Sequence, residues 1–168
     1  ISDDEFDPLG WAFGSLGTAD RAKYLASLVI NDLALVIKDG IDEKFDLARY
    51  GESLASSVPT FDLLQETLDT KGTLIDEMLV ELSTEWIEKT KPDVIGLTAP
   101  FPGNVYAAFR IAQTAKKLSP KIKTALGGGY VNTELRSLSE PRVFDYFDYI
   151  VLDDGYAPFL NLLKEIEK

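Results

Sequence analysis

Hydrophobic residues recur at helical spacing in some stretches of this chain and run together in others, and the two patterns take turns. From Thr18, a candidate N-cap, apolar residues at Ala22, Leu25, Ala26, Val29, Leu33, Val36 and Ile37 keep a helical period as far as Gly40. Leu28, Ile30 and Leu35 make that helix apolar on nearly every side, which predicts burial by more than one neighbour. Residues 1–17, acidic and then rich in Gly and aromatics, keep neither period and read as an irregular arm packing its aromatics on the domain. Lys44–Tyr50 alternates as a strand would and Gly51 closes it; Ser53–Pro59 reads as loop, and Thr60 caps a short helix through Leu68. Thr73 then opens an amphipathic helix with Ile75, Met78, Leu79, Leu82 and Trp86 inward and Glu77, Glu81, Glu85, Glu88 and Lys89 outward, which Pro92 ends.

The rest of the chain is organised around residues 92–132. Val94–Thr98 is a near-continuous apolar run, as expected of a strand covered on both faces. It runs into Ala99-Pro100-Phe101-Pro102-Gly103-Asn104, where Asn104 caps a helix with Val105, Ala108, Phe109, Ala112 and Ala115 as its inner stripe. Lys121–Leu126 gives the next strand, ended by Gly127-Gly128-Gly129, and a weak helix follows over Thr133–Glu140. Tyr149–Leu152 is a third strand, ended by Asp153-Asp154-Gly155; Pro158 suits the first turn of a last helix with Phe159, Leu162, Leu163 and Ile166 inward. Strand and helix alternate, so the fold class is α/β with a parallel sheet, and residues 18–168 form one domain. The pattern starts with a helix where a doubly wound domain starts with a strand. Either the first strand lies upstream of this sequence, or the arm supplies something irregular.

In a βαβ unit the loops at the carboxyl ends of the strands face one way, and open α/β sheets hold ligands in the crevice there. Loops 98–104 and 127–132 both belong to that edge. Three glycines after a strand let backbone come within contact distance of a ligand, although glycine at such a junction also serves a tight turn. Their spacing matches neither the G-x-G-x-x-G of dinucleotide folds nor a P-loop, so NAD and ATP are poorly supported. Two prolines stiffen the first loop and place the Thr98 hydroxyl at a strand end. Asp153-Asp154-Gly155 is turn chemistry whose backbone faces the same edge.

Composition narrows the chemistry. The net charge of −11 (17 Lys and Arg against 28 Asp and Glu) speaks against nucleic acid and anionic membrane as partners. No apolar run approaches the ~20 residues of a membrane span and no signal pattern opens the chain, which makes a cytoplasmic location the expectation. With no Cys and no His, this polypeptide offers no thiolate nucleophile, no iron–sulfur ligands, no tetrahedral zinc site and no Ser-His-Asp triad. An Ile at position 1 and a Lys168 that falls at the end of a helical pattern suggest a piece of a longer protein.

Asp93-Val94-Ile95-Gly96-Leu97-Thr98-Ala99-Pro100-Phe101-Pro102-Gly103-Asn104, Leu126-Gly127-Gly128-Gly129-Tyr130-Val131-Asn132-Thr133-Glu134-Leu135 and Phe144–Gly155 resemble the N-terminal cobalamin-binding domain of B12-binding radical SAM proteins. The resemblance covers roughly residues 73–168. It implies a flavodoxin-like, Rossmann-like three-layer domain with a parallel sheet, with cobalamin over the carboxyl edge of the sheet and its nucleotide tail reaching into the domain; against that fold the chain's own pattern adds an extra N-terminal helix and leaves open whether the first strand is lacking. Thr98 would match the family's Ser/Thr loop, and Gly127 and Gly128 its glycine loop beside the tail. Thr98, Ala99, Pro100, Phe101, Gly127, Gly128, Gly129, Tyr130, Asp154 and Gly155 are the candidate cofactor contacts, with no catalytic residue and no metal ligand in this chain. The Asp-x-His-x-x-Gly signature is missing, so cobalamin would be held base-off without a protein imidazole. The resemblance also implies a radical SAM domain beyond Lys168, in the same polypeptide, carrying S-adenosylmethionine and a 4Fe-4S cluster. The fragment alone would turn over nothing. The competing reading is a docking or dimerisation module that no longer binds cobalamin, and a homo-oligomer is an open alternative.

Overall fold

The computed structural model describes residues 17–47, 61–137 and 139–167. It falls into two units, Ile1–Glu43 and Lys44–Lys168. In the first, α1 (Thr18–Gly40) spans the expected helix. Thr18 is its first residue rather than its cap; Gly17 holds the cap position, and no side chain satisfies the first amides. None of its residues is buried, with Val29, Leu33, Leu35 and Val36 all more than half exposed, against the burial expected on all sides. The arm at 1–17 lies, but for Gly17, outside the described residues, as do Ser53–Pro59 and Thr60.

The second unit is mixed helix and strand. Of the expected strand at Lys44–Tyr50, residues 44–47 are turn and coil and the rest lies outside the described residues. In order follow α2 (Asp62–Asp69), α3 (Leu74–Thr90), β1 (Val94–Thr98), a 3-10 turn (Pro102–Asn104), α4 (Val105–Leu118), β2 (Lys123–Gly127), α5 (Gly129–Thr133), a second 3-10 turn (Pro141–Asp145), β3 (Tyr149–Ile150) and α6 (Tyr156–Ile166). The strands form a parallel sheet in the order β1-β2-β3, so the expected α/β class holds. Val151 lies past β3 but still donates its N–H to the Leu126 carbonyl. No helix among the described residues is long and apolar enough to cross a membrane.

Strand alternation sorts the side chains into two unlike faces. Leu97, Leu126, Ile150 and Leu152 pack with Val105, Ala108, Phe109 and Ala112 of α4, with Leu64 and Leu68 of α2, and with Phe61, Tyr146 and Phe147. The whole expected inner stripe of α4 is buried, its alanines bringing the helix close to the sheet. Asn104 makes no side-chain cap, because the 3-10 turn before α4 already holds it in helical backbone. Gly129 begins α5 and Thr133 ends it, so the expected helix over Thr133–Glu140 is not formed: residues 134–137 and 139–140 are turn and coil.

Thr73 does cap α3, accepting from the Asp76 amide, and Lys91 closes it in left-handed backbone ahead of Pro92. The inner face of α3 differs from the expected stripe. Asp76 and Ile87 are the buried residues, while Met78, Leu82 and Trp86 are exposed. The buried side follows a polar pin: the Asp76 carboxylate accepts from Tyr106 Oη and from Arg110 Nε, both at 2.8 Å. Arg110 spends its Nη1 and Nη2 on the carbonyls of Leu68 and Thr67, tying α2, α3 and α4 together. Burial, and then the bond to Asp76, push the Tyr106 hydroxyl well above its usual range. β1, expected to be covered on both faces, has no buried residue, and among the described residues it pairs with β2 alone.

Candidate functional site

The face of the sheet turned away from α4 carries small residues. Gly96 pairs with Ala125 and Thr98 with Gly127, two successive rungs without a bulky side chain, while the rung between them, Leu97 with Leu126, points into the core. The Phe159 ring of α6 stands over the first rung, 3.3 Å from where a Cβ on Gly96 would lie. The small rungs and the half-buried helix leave a hollow of about 530 Å³, lined by Gly96, Leu97, Thr98, Ala125, the three glycines, Asn132, Val151, Asp153, Asp154, Gly155, Tyr156, Phe159 and Leu160. It lies at the carboxyl end of the strands and stands open.

Six of the ten candidate contacts meet there: Thr98, Gly127, Gly128, Gly129, Asp154 and Gly155. The other four do not line it. Ala99 is fully buried and serves as backbone, donating its N–H to the Gly127 carbonyl at 2.8 Å and accepting from Tyr130 N–H at 3.2 Å. Tyr130 packs against the core, and Phe101, 69% exposed, stands out from the loop with Pro100.

The three glycines differ in kind. Gly128 has φ +111° and ψ 170°, and a Cβ there would meet the Ala99 backbone at 2.7–2.8 Å. Its glycine is demanded by the turn itself. Gly127 and Gly129 lie outside left-handed backbone; a Cβ on the first would reach the Val151 carbonyl at 3.1 Å, and on the second would make ordinary contact with Pro100. Gly155 is left-handed at φ +74° with nothing within 4 Å of its Cβ position, so the loop after β3 leaves open space at the rim.

That loop is latched. Asn132 Oδ1 accepts from the Asp153 amide at 3.0 Å and from Arg136 Nη1 at 2.8 Å, and Arg136 pairs with Asp153 at 2.7 Å. Asp154 accepts from the Tyr156 amide. The latch holds Asp153 in left-handed backbone, φ +65°. No Lys or Arg lines the hollow, whereas Asp153 and Asp154 do, so the lining suits an uncharged ring system and offers a phosphate group no cation. No group of three or more metal-ligating side chains occurs among the described residues.

Nine lining residues were not among the candidate contacts: Gly96, Leu97, Ala125, Asn132, Val151, Asp153, Tyr156, Phe159 and Leu160. The signal for two was present. By alternation Gly96 and Thr98 share one face of the first strand and Ala125 and Gly127 one face of the second, and aligning the strands by their last residues, Thr98 and Gly127, puts Gly96 beside Ala125.

Fold and hollow together define an α/β domain with a parallel sheet and a ligand-sized opening at its carboxyl edge. Over 101 residues the chain is 32% identical to the anaerobic magnesium-protoporphyrin IX monomethyl ester cyclase of Rubrivivax gelatinosus, an alignment that takes in 56% of this chain and 17% of that enzyme. The chain thus corresponds to under a fifth of the length of that relative. No family model matches the chain. No solved structure matches it either.

Proposed function

We propose that this chain is the cobalamin-binding module of a B12-dependent radical SAM enzyme, holding the cofactor base-off. The observation that carries the reading is the hollow itself: two rungs of small residues under a helix, at the strand ends where the resemblance expects the nucleotide tail. The likeness to the anaerobic cyclase is its second support. At about 530 Å³ the hollow lies within the ~300–1,000 Å³ range of ligand pockets, room for a nucleotide tail but not for a corrin ring as well. The residues present fit that part. Gly155 leaves the rim open, and Thr98 offers a hydroxyl at the mouth. Without His the chain supplies no imidazole to cobalt.

Cobalamin, when bound, would supply a cobalt centre able to carry an organic group; the residues of this chain lining the hollow would hold its tail. S-adenosylmethionine and the 4Fe-4S cluster belong to a partner domain in the same polypeptide. The test is direct. The protein mixed with hydroxocobalamin and passed through a gel-filtration column should leave it red, with the visible spectrum of a base-off corrinoid. A colourless protein at high concentration overturns the reading.

A second reading, a docking or dimerisation module without cofactor, is favoured by one observation. Leu74, Met78, Leu82 and Trp86 form an exposed apolar stripe along α3, and among the described residues β1 pairs with β2 alone. On this reading Leu82→Lys lowers the apparent mass in gel filtration while stability stays within about 0.5 kcal/mol. An unchanged elution volume rejects it.

A further inference from the structure

We infer that the hollow chooses among corrinoids by the polarity of the base at the end of the tail, with Gly96, Ala125, Val151, Phe159 and Leu160 as the selecting residues. This rests on the cobalamin reading above and adds to it a preference that the reading does not require.

The hollow is divided by chemistry. Its inner end is the Gly96–Ala125 rung, walled by Val151, Phe159 and Leu160, and none of these five side chains carries a hydrogen-bond donor or acceptor. Backbone offers little more, since β2 lies between two partners and spends its amides and carbonyls on both. The polar groups, Thr98, Asn132, Asp153 and Asp154, stand at the strand ends and the loop after β3. Of these, Asn132 Oδ1, Asp153 Oδ1 and Asp154 Oδ1 each already accept from Arg136 or a backbone amide, and all four residues lie at the rim rather than at the inner end.

Two flat bases of nearly equal size then fare differently. Dimethylbenzimidazole brings two methyl groups and, once released from cobalt, one ring nitrogen. Adenine brings an amine with two donors and further ring nitrogens. Size does not separate them in a hollow of about 530 Å³, but desolvation does. A buried amine left without a partner weakens binding by about tenfold to a hundredfold.

The experiment is equilibrium dialysis of the whole chain against three corrinoids: cobalamin, its adenine-tailed analogue, and cobinamide, which has no tail. Cobalamin should bind at least about tenfold more tightly than the adenine form, with cobinamide weakest. Leu160→Gln, a change at a 41% exposed position that folding tolerates, places an amide beside the slot and should bring the adenine form within about threefold of cobalamin. Equal or tighter binding of the adenine form by the unaltered protein overturns the inference and leaves the cobalamin reading standing. So does cobinamide binding as well as cobalamin, which would mean that the tail is not used. Retention of none of the three overturns both.

Discussion

The glycine triplet yields the sharpest test, because its members look alike in sequence and unlike in space. Consider alanine placed at each in turn. At Gly128 the backbone, φ +111° and ψ 170°, lies in a region that glycine alone occupies freely, which costs a side-chain-bearing residue about 1–3 kcal/mol. The new Cβ would also stand 2.7–2.8 Å from the Ala99 backbone, an immovable neighbour because Ala99 is fixed in turn by its bonds to Gly127 and Tyr130. Together these predict a loss of about 2–4 kcal/mol, a large share of the ~5–15 kcal/mol that holds a domain folded. At Gly127 the contact is 3.1 Å to a single carbonyl, without left-handed backbone, and about 1 kcal/mol follows. At Gly129, the first residue of α5, the Cβ meets Pro100 at an ordinary 3.4 Å; the change should lie within about 0.5 kcal/mol of zero and can be favourable, since alanine is the better helix residue. Urea unfolding followed by circular dichroism measures the order directly, and in a thermal scan the Gly128 variant should melt roughly 6–12 °C lower for a loss of about 3 kcal/mol. If all three variants unfold alike, or Gly128→Ala matches the parent, the turn does not need this glycine.

Two further predictions concern buried charge. Asp148 accepts from Lys116, Lys123 and the Thr124 amide; burial raises its pKa, but these bonds outweigh it and bring the carboxyl down to about 2 from 3.8. A lowered folded-state pKa contributes stability above the unfolded value near 3.8 and loses it as pH falls toward 2, so Asp148→Asn should cost about 1–2 kcal/mol at pH 6 and almost nothing at pH 2. A penalty of equal size at both pH values would assign the loss to packing. At the helix pin, Arg110→Met leaves Asp76 buried without its cation and should cost about 3–5 kcal/mol, while Asp76→Leu with Arg110→Met should cost less than the two single changes added; strict additivity in urea unfolding would mean that the pair is not coupled.

What the sequence disclosed follows from how locally each feature is determined. The β1–α4–β2 unit was legible because its signals are short-range: an apolar run, a stripe of alanines at helical spacing, and glycines at a strand end. Thr98 and Gly127 were expected at one edge, and the register pairs them directly. The α3 stripe misled for a nonlocal reason. Met78, Leu82 and Trp86 are the most apolar face of that helix, yet the Asp76–Arg110–Tyr106 cluster, joined across thirty residues and more of sequence, turns a different face inward. A polar residue at a buried position has no signature in hydrophobic period, so the pin was invisible. The site was half legible for the same reason. Its loops announce themselves through Gly and Pro, whereas its floor is defined by what Gly96 and Ala125 lack, and a missing side chain counts only once the facing helix is known.

The two faces of the sheet show why the hollow is not a packing accident. On one face, small residues serve close approach: Ala108, Ala112 and Ala115 let α4 descend onto the strands, and its whole stripe is buried. On the other, Gly96 and Ala125 are smaller or equal in size, yet α6 does not descend; Phe159, Leu162, Leu163 and Ile166 stay half-buried, held off by the Phe159 ring standing on Gly96. Were packing the sole demand, a larger residue at 96 would displace that ring and fill the space, gaining about 25 cal/mol for each Å² of apolar surface removed from water. A strand that forgoes such burial at two consecutive rungs, beside a loop whose Gly128 has no freedom to change, keeps space for something other than its own side chains.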